Sequence, residues 1–299
     1  MKKFLVSGAS GFLGSAVIPR LLSGDHEVIG LDPVATSDIQ QRLIIDDLSD
    51  RNRLRAMLKA ESVTHVIHCG GVSGPMVLAD APARVMEINV MGSLNLLLAS
   101  LDSGCVNTFL YCSSVSAVGD FYEQEPITAD YPLGPTNTYG CSKAAVDMIL
   151  RGLWRRIPID LCSLRFTGIY GPGRRTAYIV DDIVAGALRN EPVHVEPMTD
   201  WPYIYIDDAA DAVVAACLSQ HCRELFYFIA YPEQVTPEQL AAAAGQGQAV
   251  RLAYDNAVKR AARGPLDIKP AQRDFGFAPK VDYREGVRRM VEAGRAKQK

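Results

Sequence analysis

The chain carries no block of basic residues, no Cys-x-x-Cys spacing, no internal repeat and no low-complexity tract. Each absence removes a class of protein. Lys and Arg number 31, scattered along the chain against 34 Asp and Glu, so the net charge is −3 and binding to a nucleic-acid backbone is not expected. The seven cysteines (Cys69, Cys105, Cys112, Cys141, Cys162, Cys217 and Cys222) are odd in number and widely spread. They read as reduced thiols of a cytoplasmic protein rather than as a disulfide framework. The apolar stretch after Lys2 and Lys3 is broken within three residues by Ser7 and Gly8, and no other run approaches the ~18 apolar residues of a membrane span. No His-Glu-x-x-His, Gly-x-Ser-x-Gly or Walker spacing occurs. No metal is expected, and His65 and His68, on opposite faces of one strand, read as packing residues.

What is present suits a large folded core: 299 residues, 48% hydrophobic and 22% charged. Short β-branched runs at 3–7, 27–32, 43–46, 65–69, 108–113 and 159–166 alternate with helical stretches starting near Phe12, Arg51, Pro82 and Tyr139. Strict alternation with near-continuous apolar strands predicts an α/β fold, a doubly wound parallel sheet covered on both faces. Beyond residue 167 the pattern loosens, with Gly168, Gly171, Pro172, Gly173, Pro192, Pro197 and Pro202 marking loops. The expected division is a Rossmann domain over 1–166 and, over 167–299, mainly a smaller substrate-binding lobe with segments returning to the first domain. Thr236-Pro237-Glu238-Gln239 has the order of a capping box, and a basic C-terminal helix with a solvated face is expected from about Asp282.

Gly8-Ala9-Ser10-Gly11-Phe12-Leu13-Gly14 follows the first strand and opens a helix, where backbone amides can meet a dinucleotide pyrophosphate. Gly8 permits the turn, Gly11 lets the main chain approach phosphate oxygens, and Gly14 lets helix and strand close together. Asp32 ends the second strand, 18 residues past Gly14, where a carboxylate can accept both ribose hydroxyls of NAD. A 2′-phosphate about 4 Å away would cost several kcal/mol at an effective dielectric of about 20. The bland alternative is an Asp in the turn before Pro33. Asp46 or Asp47, beside Leu48, is placed to meet the adenine amino group or else to start a helix.

Of the 12 tyrosines only Tyr139 has a Lys four residues on, Lys143, which puts both side chains on one helix face. A phenol with its ordinary pKa near 10 is no base at neutrality; bringing it to about 7 takes roughly 4 kcal/mol. An ammonium about 5 Å away supplies roughly 3 kcal/mol at an effective dielectric of about 20, and an oxidised nicotinamide ring adds more. Ser113 and Ser114, at the end of the preceding strand, either terminate that strand or hold a substrate oxygen near Tyr139.

With these motifs in place the chain resembles the extended short-chain dehydrogenase/reductases, the group called the NAD-dependent epimerase/dehydratase family, over nearly its whole length. GASGFLG matches the family's GxxGxxG, NVMGSLNLL its helix motif, CSSVSAVG its serine segment and YGCSK its Tyr-Lys pair. LRFTGIYGPG and YIDDAA match two later segments in order. The resemblance implies catalysis by Ser114, Tyr139 and Lys143. It implies NAD contacts from Gly8, Ser10, Gly11, Phe12, Leu13, Gly14, Asp32, Asp47, Leu48, Cys69, Gly70, Gly71, Asn89, Tyr139 and Lys143. It also implies that Tyr139 takes a hydroxyl proton while hydride passes to nicotinamide, giving a dehydrogenase or, with hydride returned to the other face, an epimerase. A homodimer built on helices around 85–101 and 144–153 follows from the same resemblance.

Three departures bear on the substrate. Ser113 and Val115 flank Ser114 where the dehydratases carry an acidic pair. Gly168 stands where nucleotide-sugar enzymes usually have Asn, and Asp200-Trp201-Pro202-Tyr203 lacks their diphosphate-clamping Arg. Cys69-Gly70-Gly71-Val72-Ser73 replaces the usual Ala-Ala. Arg174 and Arg175 are either a surface pair or a clamp for a carboxylate or phosphate. The expected substrate is therefore a free sugar, sugar acid or related polyol touched by Ser73, Ser114, Tyr139 and Arg174. The alternatives are a nucleotide-sugar 4-epimerase and, from another class, an NAD-binding protein without chemistry.

Overall fold

The computed structural model describes residues 1–34, 42–176, 178–195, 201–254 and 264–297. Pro197 and Asp200 of the substrate-loop reading lie outside these residues. Seven strands form one parallel sheet: β1 (Lys3–Ser7), β2 (Glu27–Asp32), β3 (Leu43–Ile45), β4 (His65–His68), β5 (Thr108–Ser114), β6 (Asp160–Phe166) and β10 (Phe226–Ile229). Their order is β10-β6-β5-β4-β1-β2-β3. Between β1, which starts the chain, and its two neighbours the winding reverses, and in such sheets this crevice at the carboxyl ends of the strands receives the ligand.

Helices α1 (Phe12–Ser23), α2 (Arg51–Ala60), α3 (Pro82–Met86), α4 (Gly92–Ser103), α5 (Thr138–Leu153), α6 (Ile179–Arg189), α7 (Ile206–Leu218), α8 (Pro237–Gly245), α9 (Lys269–Phe275) and α10 (Tyr283–Lys297) complete the chain. α2 packs on α4 and α4 on α5, while α1 packs on α7 and α7 on α9, giving two helical layers around the sheet. β1 is inaccessible over Phe4, Leu5 and Val6, as a strand covered on both faces must be. α3 and α4 are joined by a π-helical turn, Glu87–Met91.

The chain after Phe166 divides its elements between two places. α6, α8 and α10 pack together beside the two-stranded ladder of β8 (Val193–Val195) with β11 (Leu252–Tyr254). β7 (Gly168–Tyr170) pairs with β9 (Tyr203–Tyr205). β10 and α7, by contrast, sit on the central sheet, with β10 as an edge strand against β6. The sequence reading identified six strands and missed β10. Its four residues, Phe-Tyr-Phe-Ile, lie beyond the stretch where strand and helix alternate, so only long-range pairing with β6 marks them. Thr236 accepts from Gln239 N while Gln239 Oε1 accepts from Thr236 N, completing the expected capping box.

Candidate active site

A continuous cleft of about 1870 Å³ opens along the carboxyl ends of β1, β2, β4, β5 and β6. A single small-molecule site occupies roughly 300–1,000 Å³, so this cleft has room for a cofactor and a substrate together.

At one end the chain leaves β1 through Gly8 with φ +70°. A Cβ at Gly8 would stand 2.6 Å from the Gly70 backbone, and one at Gly14 would stand 2.2 Å from the Gly8 carbonyl oxygen. The first loop and the loop after β4 therefore touch backbone to backbone, which only glycine allows. Gly11 precedes α1 and supplies no side-chain cap, so the amides of the first turn keep their hydrogen-bonding capacity for an anion. Phe12, Leu13, Cys69, Gly70 and Gly71 line the same wall.

Asp32 is 8% exposed and lines the cleft. Its Oδ2 accepts from Ser10 N (3.1 Å) and its Oδ1 from Val34 N (2.9 Å). The carboxylate is thus aimed by the glycine turn and by its own strand-end turn, and each oxygen retains a further lone pair. Asp47 and Leu48 line the neighbouring wall. Ser49, through its hydroxyl first and its amide second, holds the Asp47 carboxyl below the usual range. Neither Asp46 nor Asp47 starts α2; the N-cap is Asp50, whose side chain accepts from Arg53 N.

Two residues assigned to cofactor contact stand behind the wall instead. Ser10 is buried, its hydroxyl donating to the Val34 carbonyl, and contributes to the cleft through Asp32 alone. Asn89 is buried with every polar atom satisfied: Oδ1 accepts from Val72 N, and Nδ2 donates to the Val72 carbonyl and to Ser142 Oγ. It shapes the 71–73 loop, where Gly71 has φ +129° and a Cβ would lie 2.6 Å from Asn89 Oδ1. Motif spacing places both residues near the glycine turn and the loop after β4, but only packing separates a wall from its support.

At the other end α5 is capped by Asn137, whose side chain accepts from Gly140 N, so Tyr139 and Lys143 enter the helix on its first two turns. Tyr139, Lys143 and Ser114 all line the cleft. Ser114 ends β5, in register with Phe166 of β6, and its oxygen accepts from Ser116 N. Lys143 Nζ donates to the Cys112 carbonyl at 2.9 Å and lies 5.9 Å from the Tyr139 ring centre. Burial raises the Tyr139 phenol above its ordinary range, opposed by a hydrogen bond with Ser114 and by the charge of Arg174. Burial likewise lowers the Lys143 ammonium. The ammonium is engaged by a carbonyl, and the groups that oppose burial at the phenol are Ser114 and Arg174.

Ser73 lies on the exposed loop after β4 and Arg174 past the Gly-Pro-Gly turn; both line the cleft. Arg174 Nε donates to the Thr176 carbonyl at 3.2 Å, Nη1 donates to the Ile169 carbonyl, and the guanidinium lies 4.2 Å from the Tyr178 ring centre. Arg175 is exposed and is not among the lining residues. Among the described residues the cleft's Lys and Arg are Arg84, Lys143 and Arg174, and Arg84 is paired with Glu87 at 2.9 Å. His68 is a core residue with both nitrogens bonded, to Ser7 and Ser93. Trp201 lines the cleft as well, together with Tyr178 and His194, which the sequence reading did not single out. No spacing rule points to these last two: Tyr178 sits at the N-cap of α6 and His194 mid-strand in β8, both in the second half of the chain.

The two ends together fit a dinucleotide: a glycine cradle that a Cβ would fill, a carboxylate at the second strand, and a Tyr-Lys-Ser group beyond. Residues 4–224 match the NAD dependent epimerase/dehydratase family. A UDP-glucose 4-epimerase of Neisseria meningitidis serogroup B is 30% identical over 72% of this chain and 73% of its own. A solved UDP-glucose 4-epimerase of Thermus thermophilus, in complex with NAD, superposes with a TM-score of 0.87 at 26% identity, covering 98% of this chain and 99% of that one. The Thermotoga maritima UDP-glucose 4-epimerase solved with UDP-glucose gives a TM-score of 0.90 at 25% identity, covering 99% and 100%. The chain belongs to the NAD dependent epimerase/dehydratase family and is an NAD-dependent enzyme.

Proposed function

We propose that the protein oxidises a secondary alcohol of a sugar, sugar acid or related polyol, with Tyr139 as the base and Ser114 and Lys143 completing the reacting end. Gly8, Gly11, Phe12, Leu13, Gly14 and Gly70 hold the pyrophosphate side of NAD, Asp32 its adenosine ribose, and Asp47 and Leu48 its adenine. Bound NAD supplies the acceptor for the hydride that leaves the carbinol carbon. Ser114 holds the substrate hydroxyl beside the phenol, and Tyr139 takes its proton once the phenol's burial is offset by positive charge in the cleft. Lys143, fixed on the Cys112 carbonyl, is the cationic side chain beside Tyr139 on the helix that carries it.

The observation that carries the small-substrate reading is that two guanidiniums line the cleft among the described residues, and Arg84 is paired with Glu87 and acts on Asp47, which leaves Arg174 for the substrate. A diphosphate with two negative groups asks for more cation than that, whereas a carboxylate is matched by one planar fork. Ser73 and Arg174 face the part of the substrate beyond the reacting carbon. The test is NADH formation from aldonates, uronates and free sugars beside product analysis for 4-epimerisation and oxidation of UDP-sugars; activity on UDP-sugars alone refutes the reading. A nucleotide-sugar 4-epimerase is the second reading, favoured by the Thermotoga maritima relative solved with UDP-glucose and by a cleft that continues to His194 and Trp201.

Residues 1–166 serve as the NAD-binding domain in this reading and 167–299 mainly as the substrate lobe, with β10 and α7 belonging to the first. No helix of the described residues is long and apolar enough to cross a membrane. We place the protein in the cytoplasm as a homodimer joined through α4 and α5, where Met148 is 54% exposed. Sedimentation of wild type and Met148→Glu tests that interface: the variant is expected to be monomeric.

A further inference from the structure

Gly168 is a glycine because another residue already occupies its side-chain space. A Cβ built there would stand 1.5 Å from Tyr178 Oη and 2.6 Å from its Cζ. A side chain at position 168 and the Tyr178 phenol in its present place are therefore mutually exclusive. Gly168 lies two residues past Phe166, the register partner of Ser114, or about 7 Å along the strand direction. The phenol tip thus reaches the cleft wall on the substrate side of the reacting group.

The ring is held in that position from two sides. Arg174 lies over it at 4.2 Å, and Tyr203 meets it edge-on at 5.9 Å between centroids. Arg174 is itself tied to the carbonyls of Ile169 and Thr176, with three of its five N–H groups left over. Ring and guanidinium are in this way immobilised as a unit, both lining the cleft.

We propose that Tyr178 is a specificity-determining residue: seated over Gly168 and stacked on Arg174, it presents a hydroxyl beside a guanidinium edge and selects a compact substrate bearing a carboxylate. This rests on the small-substrate reading given above and names the recognition device within it. A neutral sugar loses the guanidinium partner, and a substrate that depends on a side chain at position 168 meets the phenol instead. Polar recognition of this kind discriminates strongly, since a ligand without the acid forgoes a charge-assisted hydrogen bond to the guanidinium edge.

The experiment measures kcat and KM with NAD saturating, on D-gluconate, D-glucuronate and D-galacturonate with shorter aldonates, on the matching neutral sugars and on UDP-glucose. The proteins are wild type, Tyr178→Phe, Tyr178→Ala, Gly168→Ala and the double variant Tyr178→Ala/Gly168→Ala. Wild type is expected to prefer acids. Tyr178→Phe, which keeps the ring and so the fold, lowers kcat/KM on the preferred acid roughly 10- to 100-fold, mostly through KM, with NAD affinity unchanged. Gly168→Ala evicts the phenol and loses about as much, yet adds less than twofold in the Tyr178→Ala background, because what it displaces is already gone. If wild type oxidises acids while Tyr178→Phe keeps full activity and selectivity, or if Gly168→Ala costs the same in both backgrounds, the role of Tyr178 is refuted and the substrate reading survives. Wild type that acts on UDP-glucose alone, or on none of the panel, overturns both.

Discussion

Lys143 Nζ points at the carbonyl oxygen of Cys112, 2.9 Å away, and not at the hydroxyl of Tyr139, whose ring centre is 5.9 Å off. The phenol and its cationic neighbour are held by the same helix, and the ammonium's hydrogen bond goes to the carbonyl. Replacing Tyr139 by Phe is expected to lower kcat by about 10²- to 10⁴-fold while the Kd for NAD stays within about threefold. Stopped turnover with unaltered NAD titration supports the role; a variant that keeps a tenth or more of the rate excludes it.

Burial raises the Tyr139 phenol, so the reactive deprotonated form is scarce at neutrality and grows with pH. Below the pKa of an acid its deprotonated fraction rises tenfold per pH unit. The value of kcat/KM for alcohol oxidation should therefore climb from pH 6 through the mildly alkaline range with a slope approaching one. A profile flat across that interval in the wild type would contradict the assignment.

Asp32 accepts from Ser10 N and Val34 N and faces the cleft with its charge. A phosphate at about 4 Å would meet a repulsion of about 4 kcal/mol at an effective dielectric of about 20, or nearly three orders of magnitude. Asp32→Ser is expected to bring the ratio of kcat/KM for NAD over NADP down by about 100-fold or more. An unchanged ratio would place the discriminating group elsewhere.

Behind the reacting end, Arg165 and Asp147 form an ion pair of 2.8 Å with side chains 1% and 0% exposed. Asp147 also accepts from Ser113 and Ser163, and Arg165 donates to the Ala129 carbonyl. This network ties α5 to β5 and β6, and so fixes Tyr139 relative to Ser114. Arg165→Leu should destabilise the fold by about 3–5 kcal/mol, because it strands a buried carboxylate. Adding Asp147→Leu should restore part of that loss in urea unfolding; a double variant less stable than the single one would count against the argument.

His68 is held neutral. Burial depresses its pKa to about 3, and the Lys143 charge adds to this. Its folded pKa lies below the unfolded value of about 6.5, so its contribution is complete above pH 6.5 and is lost as pH falls towards 3. At pH 5 the loss is about 2 kcal/mol, at 1.36 kcal/mol per pH unit. Urea unfolding at pH 7 and pH 5 should show a drop smaller by that amount in His68→Gln than in wild type. Equal drops would mean that His68 does not titrate in this range.

Periodicity and caps made much of the first half legible. α1 and α2 start at Phe12 and Arg51, as the apolar spacing predicts, and the third strand stops at Ile45, one residue short of the expected end. The glycine turn was legible because φ near +70° at Gly8 and close packing at Gly14 tolerate little else. Ser10 and Asn89 mark the limit of such reading: their positions follow from motif spacing, but which surface each side chain faces depends on Val34, Val72 and Ser142. Nor does spacing tie Gly168 to Tyr178, since nothing local distinguishes a glycine that is free from one whose space is filled.

By itself the sequence determined the fold class, the glycine turn after β1, the carboxylate that ends β2 and the placing of Tyr139 and Lys143 on one helix. These rest on backbone conformation and side-chain period, which act over a few residues. Only the tertiary structure decided that β10 returns to the sheet, that the Lys143 ammonium serves a carbonyl, and that a phenol fills the space over Gly168. Those outcomes are set by burial and by contacts between distant segments, where desolvation and excluded volume, not local preference, select the arrangement.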